Sequence, residues 1–296
     1  MTGAALALVV TAAVLHAAWN ALAKRGGDQL LFLWSSVSVA SLLFLPLGLL
    51  RLAEDGFPAV AVPFVIATIV LHALYFWALG RSYRSGDFSV VYPIARGLGV
   101  ALVPVVALVV FDERLSPLGS LGVGLVVAGI VGLQLGGVRL GGLRLGLARA
   151  GGAAPWRLSP GTWWALLTGL TIASYSLVDK AGVARLHPIP YITLMGLGIS
   201  AVLAPLVLAQ APALRREWAL NWRTILVASA LNLTSYLLVL FAFRLSKVGY
   251  VVAARELSIL FSAFIGSLWL KEGRLAPRLT GAVVVLAGVV CVALAR

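Results

Sequence analysis

The sequence predicts an all-α integral membrane protein, ten transmembrane helices built as two inverted five-helix repeats. Three observations lead there. The 296-residue chain is 61% hydrophobic and 11% charged, with a mean hydropathy of +1.03, whereas a soluble domain carries about 25% charged residues and less than half apolar ones. Its apolar residues fall into ten runs, each close to the ~20 residues that a helix rising ~1.5 Å per residue needs to cross ~30 Å of hydrocarbon. Polar landmarks also recur at a constant spacing between the two halves.

The runs lie near 3 to 22, 30 to 50, 58 to 80, 88 to 111 and 117 to 137 in the first half. In the second half they lie near 161 to 181, 189 to 210, 222 to 243, 248 to 270 and 276 to 295. The first run has the length of a signal peptide, but no Lys or Arg precedes it and nine similar runs follow, so it reads as a retained helix. Short charged, Gly-containing turns separate several of the runs: 24 to 28, Glu54-Asp55-Gly56 and 271 to 274. Asp112-Glu113-Arg114 joins runs four and five. One connection is long. It covers 138 to 160, is rich in Gly and Arg (Arg139, Arg144, Arg149, Arg157), and divides the chain into units 1–137 and 161–296.

A net charge of +13 would direct a soluble protein toward nucleic acid, but nearly all the basic residues sit between apolar runs, the loop signature of a multispanning chain. No nucleic-acid partner is expected. With the N-terminus cytoplasmic, the cytoplasmic segments would hold seven Lys and Arg and the opposite side fourteen, so charge bias favours both termini outside. The single cysteine, Cys291, allows no intrachain disulfide and no cysteine metal cluster.

Arg96 and Arg255 are 159 positions apart, as are Glu113 and Glu272, Gly122 and Gly281, Ala128 and Ala287, and Gly129 and Gly288. The loop DERLSP (112 to 117) recurs as KEGRLAP (271 to 277) with Gly273 inserted. A weaker match pairs Trp19 and Lys24 with Tyr175 and Lys180, 156 apart. Because five is odd, the second copy must enter the bilayer from the opposite side, an inverted repeat that puts a binding site at the repeat interface near the midplane.

Ionisable groups within spans cost ~2.5 to 3.5 kcal/mol on insertion scales and are retained with partners or for function. Arg96, Arg255 and Glu256 stand out, with Glu256 the one acidic residue expected well inside a span. Arg255 and Glu256, as neighbours on one helix, cannot face each other. The expectation is that Arg96 and Arg255 converge to hold a carboxylate, phosphate or phosphonate, with Glu256 balancing one Arg or taking up a proton. The competing reading is a permanent structural pairing of these charges. Around them lie His16, Trp19 and Asn20 in helix 1, His72 and Tyr75 in helix 3, and Tyr92 in helix 4. Tyr175 in helix 6 and Asn232 and Tyr236 in helix 8 complete a candidate aromatic and hydrogen-bonding wall, or else ordinary interhelical packing.

Pro93 and Pro104 point to helix 4 as a kinked, moving element. Gly132 and Gly136, with the Ala128-Gly129 and Ala287-Gly288 pairs, mark helices 5 and 10 as close-packing scaffold or dimer contact. GVGLVVAG (122 to 129) lacks the Lys-Ser/Thr of a phosphate-binding loop, and HExxH and GxSxG are absent. No ATP, metal or other cofactor is expected, and a membrane-embedded enzyme is the weaker class.

The junction FDERLSPLGSLGVGLVVAGIVGL, its repeat LKEGRLAPRLTGAVVVLAGVVCV, and the first-helix segment HAAWNALAK together resemble the EamA-type branch of the drug/metabolite transporter superfamily. The resemblance covers essentially the whole chain. It implies two five-helix halves, cytoplasmic termini, a bacterial cytoplasmic membrane, and secondary active transport of a small metabolite by alternating access. Similar proteins move amino acids, nucleotide sugars and phosphorylated sugars, and HAAWN is similar to a subgroup associated with phosphonate use. The expected cargo is an anionic or zwitterionic small molecule, coupled to a proton or an exchange substrate, carried by a monomer or homodimer in the lipid bilayer. A flippase for lipid-linked cargo on the same fold is the alternative.

Overall fold

The computed structural model describes residues 1–23, 28–85, 88–134, 159–261 and 276–295, and every regular element among them is helical. The first half holds α1 (Gly3–Ala23), α2 (Gln29–Asp55), a 3-10 turn at Ala59–Ala61, α3 (Val62–Ser85), α4 (Phe88–Phe111) and α5 (Pro117–Gln134). The second holds α6 (Pro160–Val183), α7 (Pro188–Leu208), α8 (Ala211–Leu245), α9 (Val248–Arg255) and α10 (Ala276–Leu294). The long central connection lies outside the described residues, as do Lys24, Glu272 and the turn at 271 to 274.

Six described helices, α1, α2, α3, α4, α7 and α8, contain stretches long and apolar enough to cross a bilayer. The chain is a multi-pass membrane protein. The apolar parts of α5 and α10 are shorter, and α6 is interrupted by Thr168, Thr171, Ser176, Asp179 and Lys180. Large apolar side chains such as Leu43, Val60, Val105 and Val109 stand exposed on the outer surface, which suits lipid rather than water.

Helix ends follow local chemistry. The Asp28 carboxylate accepts from the Leu30 and Leu31 amides, capping α2. Gly56, at φ +73°, turns the chain out of that helix with its amide bonded to the Leu52 carbonyl. Ser159 and His187 cap α6 and α7, and each is followed by a Pro whose missing N–H costs nothing in a first turn.

Two spans differ from expectation. Helix 8, expected from 222, begins at Ala211 and runs 35 residues, its polar first turns extending past the apolar stretch. Helix 9, expected unbroken to 270, stops at Arg255; Glu256 sits in a turn, and helical residues resume at 257 to 261. By contrast α4 stays helical through both Pro93 and Pro104.

Packing is organised in pairs. α1 lies along α8 about as extensively as α3 lies along α6, while α2 packs on α7 and α5 on α10. The α5–α10 contact needs glycine: a Cβ at Gly122 would sit 2.7 Å from the Gly288 carbonyl oxygen, and one at Gly288 would sit 2.6 Å from that of Gly122. Helices 5 and 10 are therefore scaffold to each other within one chain; the Gly132 and Gly136 spacing extends past the described residues. The Met1 ammonium donates to the Ala295 carbonyl at 2.5 Å, so both ends of the chain share one face, called here the termini face.

Candidate functional site

A cavity of about 80 Å³ opens between α1, α2, α3, α6, α7, α8 and the broken end of α9. Its apolar side is Val37, Ala40, Met195 and Ile199. The remaining wall is polar and aromatic: His16 and Trp19 from α1, His72 and Tyr75 from α3, Tyr175 from α6, Asn232 and Tyr236 from α8, and Arg255 from α9. The rings lock one another. His72 stacks on Tyr175 with centroids 4.1 Å apart, and it meets Tyr236 edge-on at 5.5 Å. Tyr75 meets Tyr175 at 5.7 Å and His16 meets Trp19 at 5.1 Å.

Eight of the twelve residues singled out by sequence thus share one cavity. Of the other four, the three described do not line it. Arg96 Nε lies 3.4 Å from Glu256 Oε2, both side chains being under a tenth exposed. The Asn20 amide donates to the His16 carbonyl at 2.7 Å, a bond within its own helix. The Tyr92 side chain lies outside the described residues.

Arg255 is the last residue of α9, where unpaired helix carbonyls favour a cation. Its guanidinium carbon lies 5.3 Å from the centre of the Tyr236 ring, a cation–π contact. Its buried Nε has no hydrogen-bond partner among the described residues. Arg96 and Arg255 therefore do not form a matched pair of clamps: Glu256 neutralises the first, and only the second reaches the cavity.

Beside the cavity lies a residue the sequence reading passed over. Glu256 is not the one acidic group well inside the bundle, because Asp179 in α6 is fully buried. Its Oδ1 accepts from the Thr68 hydroxyl at 2.5 Å and the Tyr191 hydroxyl at 2.8 Å. Its Oδ2 accepts from the Tyr236 hydroxyl. Donors from α3, α7 and α8 thus converge on one carboxylate, which ties four helices together. His72 Nδ1 lies 3.0 Å from both the Thr68 carbonyl and the Thr68 hydroxyl. A carbonyl only accepts, so Nδ1 carries the proton and Nε2 is left as the acceptor in the neutral ring. Asp179 hid in the sequence because it falls at the edge of a predicted span, next to Lys180, where a solvated helix end was expected. Its spacing of four from Tyr175 is the signal that places both on one helix face.

The termini face is fastened by a second network. Lys180 Nζ lies 3.4 Å from Glu113 Oε1 and donates to the Phe243 and Ser246 carbonyls, the latter at 2.8 Å. Glu113 Oε2 in turn accepts the Val248 amide at 2.8 Å. Beyond it a recess of about 620 Å³ is lined by Asp55, Arg185, His187 and Arg244. Burial, and then the charges of Arg51 and Arg244, lower the pKa of His187 from its ordinary value, while Asp55 opposes them.

The EamA-like transporter family model matches residues 159–294, and that of the Small Multidrug Resistance proteins matches 34–126. Spermidine export protein MdtI of Salmonella paratyphi B is 33% identical over 94 residues, 32% of this chain and 84% of MdtI. The chain belongs to the drug/metabolite transporter superfamily, and its second half matches the EamA-like family. This EamA-like protein is also 42% identical over 59 residues to Multidrug transporter PA4990 of Pseudomonas aeruginosa, 20% of its own length and 54% of that relative. It therefore spans only about half of that protein. A solved crystal structure of another protein has a TM-score of 0.70 at 16% identity, covering 98% of this chain and 96% of its own, which shows a shared fold. The matched family and both of these relatives are named as transporters or exporters.

Proposed function

We propose that this EamA-like protein is a secondary active transporter of a small anionic or zwitterionic metabolite in a bacterial cytoplasmic membrane, working by alternating access. One observation carries the charge preference: Arg255 presents a cation without a carboxylate partner, among the described residues, at a helix break inside an aromatic-walled cavity. Discontinuous helices of this kind form binding sites near the midplane of transporters with repeated halves. A guanidinium on the wall favours carboxylate, phosphate or phosphonate, and the rings offer an apolar surface for the rest of the molecule.

The inverted relation of the halves belongs to the same proposal. Shifting every helix by five exchanges the α1–α8 contact with the α6–α3 contact and maps α2–α7 and α5–α10 onto themselves. A two-fold axis in the membrane plane would produce that pattern, and it supports rocking of one half against the other. At about 80 Å³ the cavity holds a small cluster of waters, so a metabolite enters only as the halves move apart.

A second reading, a cationic cargo, is favoured by the names of the spermidine and multidrug relatives and by the aromatic wall. Thermal shift of the purified protein separates the two. Amino acids, phosphonates and sugar phosphates are compared with spermidine, in wild type and in Arg255→Gln. The proposal expects stabilisation by one of the anionic or zwitterionic compounds that disappears in Arg255→Gln while membrane abundance is unchanged. Stabilisation by spermidine, strengthened in Arg255→Gln, would favour the rival.

A further inference from the structure

We propose that Asp179 is a proton-binding site, loaded from the cavity through His72 and Thr68, and that its protonation loosens the four-helix tie on the termini face. The inference rests on the transporter reading for its purpose and on geometry for its existence.

Asp179 has no accessible surface, and three hydroxyl donors occupy three of the roughly four acceptor positions of its carboxylate. No cargo molecule can reach it in this arrangement. A proton can, since it needs a chain of hydrogen bonds and not an opening. That chain is present: His72 lines the cavity, its Nδ1–H points to the Thr68 hydroxyl at 3.0 Å, and that hydroxyl points to Asp179 Oδ1 at 2.5 Å.

The transfer balances without any other reactant. A hydronium in the cavity gives its extra proton to His72 Nε2 and is left as water; His72 gives its Nδ1 proton to the Thr68 oxygen; Thr68 gives its own proton to Asp179 Oδ1. His72 ends neutral in its other tautomer, Thr68 ends as a hydroxyl, and the carboxylate becomes a carboxylic acid.

The charged and titratable neighbours leave Asp179 as the acceptor. α3 contributes His72; α7 contributes Tyr191; α8 contributes Tyr236. α6 itself contributes Tyr175, stacked on His72, and Lys180, which is turned to Glu113 and to backbone carbonyls. Arg96 of α4 faces Glu256, and Arg255 of α9 stands beyond the Tyr236 ring. Among the described residues no basic side chain forms an ion pair with Asp179. A negative carboxylate holds all three hydroxyls strongly, whereas a neutral acid must donate one bond and accepts the others weakly. Protonation therefore weakens the link between α3, α6, α7 and α8. The recess on the termini face begins at Val183, one helical turn, ~6 Å, past Asp179.

The test is infrared difference spectroscopy of the purified full chain in lipid nanodiscs, taken from about pH 8 to about pH 5. Wild type should gain a carboxylic-acid C=O band on acidification that is absent from Asp179→Asn and retained in Glu256→Gln. Asp179→Glu, a second variant should the Asn form fail to fold, should move the band instead of removing it. After a rapid pH drop, Thr68→Val should gain the band at least about tenfold more slowly than wild type, a barrier increase of ~1.4 kcal/mol. A band unchanged in Asp179→Asn and Asp179→Glu, or no band in wild type, overturns the proton site; wild-type speed in Thr68→Val overturns the relay. No cargo enters these measurements. A failed cargo screen would therefore end the transporter reading and leave this site standing, and the reverse holds equally.

Discussion

Helices α4 and α9 occupy matching places in the two halves and carry an arginine at matching positions, yet they use it differently. α4 is continuous over 24 residues, and its Arg96 is buried against Glu256. α9 ends after eight residues, and its Arg255 faces the cavity. Glu256 follows Arg255 directly in the chain but pairs with the other helix's arginine, because successive helical side chains diverge by ~100°. Two cations thus come into one region, and among the described residues Glu256 decides which of them is structural and which remains available.

The sharpest way to break this comparison is Arg96→Gln. It strands a buried carboxylate, and losing one partner of such a pair costs ~3 to 5 kcal/mol. The expected outcome is low membrane abundance and a lower Tm, largely restored in the double variant Arg96→Gln with Glu256→Gln. Equal loss in the double variant would mean that Arg96 serves something other than Glu256. A second experiment probes the scaffold on which both helices rest. Gly122→Leu should push α5 off α10 and cost ~1 to 3 kcal/mol of thermal stability, whereas Gly124→Leu, with nothing within 4 Å of its added Cβ, should be tolerated. The smallest effect sharpens the contrast with the buried Arg96–Glu256 pair. Arg51 and Glu54 form an exposed pair three residues apart at 2.9 Å, and Arg51→Gln should change Tm by no more than ~0.5 kcal/mol allows.

Much of the architecture was legible because bilayer thickness is a ruler. Ten helices were expected, and ten are described in the anticipated order, with helix 8 starting earlier and helix 9 ending sooner than expected. The cavity wall was partly legible too. His16, His72, Tyr175 and Tyr236 are polar or aromatic groups on otherwise apolar helices, a placement with few uses other than a shared interior. The break in α9 was not legible, since 253 to 258 contains neither Gly nor Pro. Prolines drew attention to α4 instead, where the helix accommodates them. Asp179 was missed because depth near a helix end cannot be judged from hydropathy when the boundary itself is uncertain.

By itself the sequence determined a membrane-spanning helical chain, landmarks that recur at a constant spacing between its halves and a set of polar residues too costly to bury without partners. Those properties are sums over residues or spacings along one chain. Which charges meet was decided only by tertiary packing. Arg96 with Glu256, Asp179 with Thr68, Tyr191 and Tyr236, and Arg255 at the cavity each depend on how helices from different halves turn toward one another. Electrostatic partnership falls off over a few ångströms, and residues 111, 57 or 160 positions apart reach that range only in the folded bundle.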